Sequence, residues 1–77
     1  MDSTLALQAL AAIIADEDLR GRFLALTGYD GDTIRARAGS PDMVEAVAGF
    51  LGGHEPDLLL VAERLDIPPA RLLEGRA

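Results

Sequence analysis

The chain has 77 residues, with 13 acidic side chains against seven arginines, no lysine, no cysteine, no tryptophan and one histidine, for a formal net charge of −6. That length makes one domain with one small core. The missing cysteine removes disulfides and thiolate metal sites, and the negative balance disfavours nucleic acid and anionic membranes as partners.

Alanine and leucine occur 13 times each, against ten for valine, isoleucine and threonine together, which favours helix over strand. The first helix is expected over Ser3–Ala15, capped by Asp2 or Ser3. Leu7, Leu10, Ala11 and Ile14 make its i, i+3, i+4, i+7 stripe, widened by Ala6 and Ile13. A helix so apolar belongs at the centre of the core. Its run from Leu5 spans about 16 Å, half the thickness of a bilayer interior, and no cation precedes Arg20. Neither a membrane span nor a signal peptide is expected, and the protein is read as soluble and cytoplasmic.

The second helix starts after Asp16 and stops at Gly28, a left-handed cap, with Leu19, Phe23 and Leu26 on one face. Asp16–Arg20 and Asp18–Arg22 are favourable i, i+4 pairs with the acid first. A short third helix, about residues 32–38, is capped by Asp30 or Asp32 and stopped by Gly39, with Ile34 and Ala38 inward. Ser40-Pro41 opens the fourth, whose wide apolar face is Met43, Val44, Val47, Phe50 and Leu51; Gly52-Gly53 ends it. The fifth begins around Pro56 and buries Leu58, Val61, Ala62 and Leu65, leaving Leu60 roughly opposite. Pro68-Pro69 breaks it, and a last short helix with Leu72 and Leu73 runs to Gly75 before a frayed tail at residues 76–77. The expected fold is all-α, a compact orthogonal bundle of about five to six short helices in a single domain.

The segment Arg22-Phe23-Leu24-Ala25-Leu26-Thr27-Gly28 lies after Asp16-Glu17-Asp18. It precedes Ile34-Arg35-Ala36-Arg37-Ala38, Phe50-Leu51 and Leu65-Asp66-Ile67-Pro68. This order resembles a family of short, uncharacterised alphaproteobacterial proteins, a domain of unknown function, over about residues 5–72. The resemblance implies an all-helical fold in a bacterial cytoplasm, and implies no activity, cofactor or catalytic residue.

Chemistry is sparse. Ser3 and Ser40 sit at helix caps, and His54 lies at a turn with no serine motif near it, so no catalytic residue is assigned. His54-Glu55-x-Asp57 holds three metal-ligating side chains, but zinc sites draw ligands from separated elements, so the run reads as a polar helix start and no metal is expected. Asp30-x-Asp32 lacks the rest of a calcium loop, and the glycines form no phosphate-binding loop, so no cofactor is expected. Residues 61–73 have the rhythm of a helix-turn-helix, with Ala62, Ile67 and Leu72 in place. Asp66 stands where glycine is common, and only Arg71 charges the second helix.

Leu24 and Leu60 fall off their core stripes, and Tyr29 sits in a turn. These three are the candidate partner-binding residues. The leading expectation is a noncatalytic helical protein acting through protein–protein contact or self-association. A nucleic-acid-binding module built on residues 61–73 is the alternative, and an enzyme dependent on His54 ranks last.

Overall fold

The computed structural model describes residues 1–74; the predicted stop at Gly75 and the tail at 76–77 lie outside the described residues. Five α-helices follow one another: α1 (Ser3–Ala15), α2 (Glu17–Thr27), α3 (Gly31–Arg37), α4 (Pro41–Gly52) and α5 (Glu55–Leu65), with a 3₁₀ helix at Pro69–Leu73. The all-α bundle expected from the sequence is the fold. Side chains of the preceding residue start four of the helices. Asp2 accepts from the Leu5 N–H at 2.7 Å, Asp16 from Leu19 at 3.0 Å, Asp30 from Thr33 at 2.8 Å and Ser40 Oγ from Met43 at 3.2 Å. Each satisfies an orphan donor of a first turn, a contact worth about 1 kcal/mol. Gly28, at φ +73°, ends α2 in the left-handed region where a side chain would be strained.

α1 is central, packed against α2, α4 and α5. It buries Leu5, Ala6, Ala9, Leu10 and Ile13. The predicted stripe is therefore rotated: Leu7 and Ala11 face solvent and Ile14 is half-buried. Periodicity cannot orient a helix that is apolar nearly all round; the small Ala6 and Ala9 let neighbours approach closely and so choose the buried side.

Phe23 on α2 is fully buried and meets two rings edge-on, Phe50 of α4 at 5.3 Å and Tyr29 at 6.4 Å between centroids. α4 buries Met43, Val47, Ala48, Phe50 and Leu51, with Val44 only half-buried. α3 has no fully buried residue; Ile34 and, just after it, Ala38 lean on the core. α5 buries Leu58, Val61 and Ala62, and Leu65 is half-buried. Leu60 is not on the outer face as predicted: it is half-buried against the core, and its neighbour Leu59 is the exposed one.

Two backbone hydrogen bonds close α5: Ile67 N–H to Ala62 O at 3.0 Å and Asp66 N–H to Glu63 O at 3.1 Å. This is a Schellman motif with Asp66, φ 56°, in the left-handed position. The 3₁₀ helix then plugs the bundle with the fully buried Leu72. Met1 reaches the same end, its ammonium donating to the Glu74 carbonyl. No helix among the described residues is long and apolar enough to cross a membrane.

Candidate functional site

The predicted local ion pairs of α2 do not form. Asp16 caps the helix, so its carboxylate turns back to the Leu19 N–H and lies 3.6 Å from Arg64 of α5 instead of meeting Arg20. Arg20 donates to the Ile14 carbonyl at 2.9 Å. Arg22 leaves Asp18 and crosses to α5, where its Nη2 donates to Asp57 Oδ1.

That crossing ties α2 to α5 through a buried carboxylate. Asp57 is the third residue of α5 and only 3% exposed. It sits one helical turn before Val61, on the buried face, which is why it is drawn under the surface. Arg22 satisfies Oδ1. Oδ2 is buried and accepts no hydrogen bond among the described residues. Nδ1 of the half-exposed His54 stands 3.6 Å from it, beyond hydrogen-bond reach. His54 precedes α5 without making a side-chain cap, unlike the residues that start the other four α-helices.

These groups form one end of a pocket of about 360 Å³. Its apolar part is Phe50 and Leu26, and its walls include Gly49 and Gly53, which contribute backbone alone. Leu26 was expected inward with Leu19 and Phe23, yet it is 75% exposed. It lines the pocket with Gly49 and Gly53, so the last turn of α2 opens onto the pocket instead of onto a packed neighbour.

The pocket has the size and the mix of apolar wall and few polar groups common to ligand sites. None of its lining residues is a serine, threonine or cysteine, so it offers no hydroxyl or thiol nucleophile. No group of three His, Cys, Asp or Glu among the described residues is placed to hold a metal ion.

A family model matches residues 2–77. The chain belongs to the family described as protein of unknown function (DUF3572). No curated protein and no solved structure matches it.

The partner-binding candidates of this DUF3572 chain do not line the pocket. Leu24 is half-buried on α2, Tyr29 packs edge-on against Phe23, and Leu60 rests on the core. Among the described residues, the exposed large hydrophobics are Leu7, Leu26 and Leu59. In the helix-turn-helix-like segment, the element after the turn is a five-residue 3₁₀ helix, too short to lie in a major groove, and Arg71 Nε stands 3.5 Å from Glu74. Sequence reading missed Arg22, Asp57 and Leu26 as one site. The register of Asp57, i−4 from Val61, was the available signal; the partner 35 residues away had none.

Proposed function

We propose that this protein is a noncatalytic helical module of a bacterial cytoplasm, as in the alphaproteobacterial proteins it resembles, acting through protein–protein contact or self-association. The observation that carries the reading is Leu26, 75% exposed at the rim of an apolar pocket. Single exposed leucines are ordinary, but one standing beside a concave apolar surface offers both a knob and a hole. In a twofold pair each leucine sits over the other's pocket; in a mixed complex the pocket takes the partner's side chain.

Sedimentation of the purified chain and affinity capture from the native bacterium test this together, each repeated with Leu26→Ser. The expected result is a dimer, or one specific partner, that weakens at least tenfold in the variant. A monomer at high concentration with no Leu26-dependent partner overturns the reading.

A further inference from the structure

We propose that the pocket between α2, α4 and α5 binds a small ligand with an ammonium head and an apolar body. The inference goes beyond the contact reading and stands without it. Its first support is Asp57 Oδ2, a buried carboxyl oxygen with no hydrogen-bond donor among the described residues. Leaving such an atom unpaired is costly, so a donor that reaches it gains more than one meeting a solvated group. Arg22 matches Oδ1 alone, and the half-exposed His54 imidazole, 3.6 Å from Oδ2, makes no cap hydrogen bond, so displacing it breaks no cap.

The second support is the C-terminal end of α4. Gly49 and Phe50 of its last turn and the capping Gly53 line the pocket, and no basic residue lies in that turn. The negative end of the helix dipole favours a cation there. Arg22 and Asp57 offset each other as a pair, so an ammonium head is favoured over a carboxylate by the unpaired Oδ2 acceptor and by the negative end of the α4 dipole. The net charge of −6 raises the local concentration of cations further. Leu26 and Phe50 then cover an apolar body. The volume of about 360 Å³ suits a small molecule or one long side chain.

The test is an NMR titration of isotope-labelled protein at neutral pH with benzylammonium, benzyl alcohol and benzoate. Benzylammonium is expected to shift the amides of Leu26, Gly49 and Gly53 and to bind about tenfold more tightly than benzyl alcohol, the value of one charge-assisted hydrogen bond. Benzoate binding as tightly as benzylammonium overturns the proposal. Asp57→Asn should erase the tenfold preference while benzyl alcohol still binds; a retained preference overturns it. If that variant fails to fold, His54→Ala decides: it uncovers Oδ2, so the preference must persist or grow, and its loss assigns recognition to His54 instead. A blocked lysine amide separates the sources. Binding tighter than benzylammonium places the ammonium on a partner's lysine, and weaker binding places it on a free amine.

Discussion

At the scale of single residues, Asp57 shows how one buried carboxylate organises its surroundings. It holds Arg22 across 35 residues of sequence and stands under His54. Arg22 is 48% exposed, so solvent screens much of the pair. Arg22→Ala should still destabilise, by about 1 kcal/mol, because it leaves Asp57 buried with neither oxygen paired. Urea unfolding of Arg22→Ala, Asp57→Asn and the double variant checks this. The double variant should be more stable than the sum of the singles, since with Asn the second loss strands no charge.

Asp30 carries a different kind of prediction. The Thr33 N–H that it accepts holds its carboxyl below the ordinary value of 3.8. A carboxylate with a lowered folded value stabilises fully above that ordinary value. It loses the contribution as pH falls through the folded value. Asparagine caps as well but does not titrate in this range. The gap in urea midpoint between wild type and Asp30→Asn should therefore change only at acid pH, with wild type losing ground as pH falls. Parallel curves down to the acid transition would remove the cap from the acid response.

At the scale of elements, the sequence read well where the physics is local. Helix starts follow from Asp2, Asp16, Asp30 and Ser40, each three residues before the N–H it accepts from, and the end of α2 from Gly28. What failed depends on neighbours. The face of α1 and the exposure of Leu26 are set by what packs opposite, and local periodicity carries no record of that. Asp66 is an intermediate case. Its departure from glycine was visible, and the structure shows a left-handed cap that tolerates aspartate at a cost. Asp66→Gly should stabilise by about 0.5 kcal/mol, the relief of left-handed strain less the added freedom of an unfolded glycine. Thermal unfolding measures it. A loss of stability would mean that the Asp66 side chain contributes to the turn.

At the scale of the whole molecule, the fold closes on itself. The radius of gyration is 11.1 Å, and area scaling for this mass gives about 4,500 Å² against the observed 4586 Å². No second copy is needed to complete the core, so any self-association adds to a finished fold. The charge is less balanced than the core. Asp16–Arg64, Asp32–Arg35 and Arg71–Glu74 pair some of it, yet the total stays at −6. Self-repulsion of that kind is screened by salt. The melting temperature should rise from low to physiological ionic strength. A fall would mean that the ion pairs outweigh the net charge.

The edge-on stack of Phe23 with Tyr29 and Phe50 has an optical consequence. The chain contains two phenylalanines, one tyrosine and no tryptophan, and all three rings lie in that cluster. Its near-ultraviolet dichroism therefore comes from a single locus where α2, the Tyr29 turn and α4 meet. Loosened packing there would silence that spectrum while the far-ultraviolet helix signal stayed, so the protein carries its own reporter of core order without any added dye.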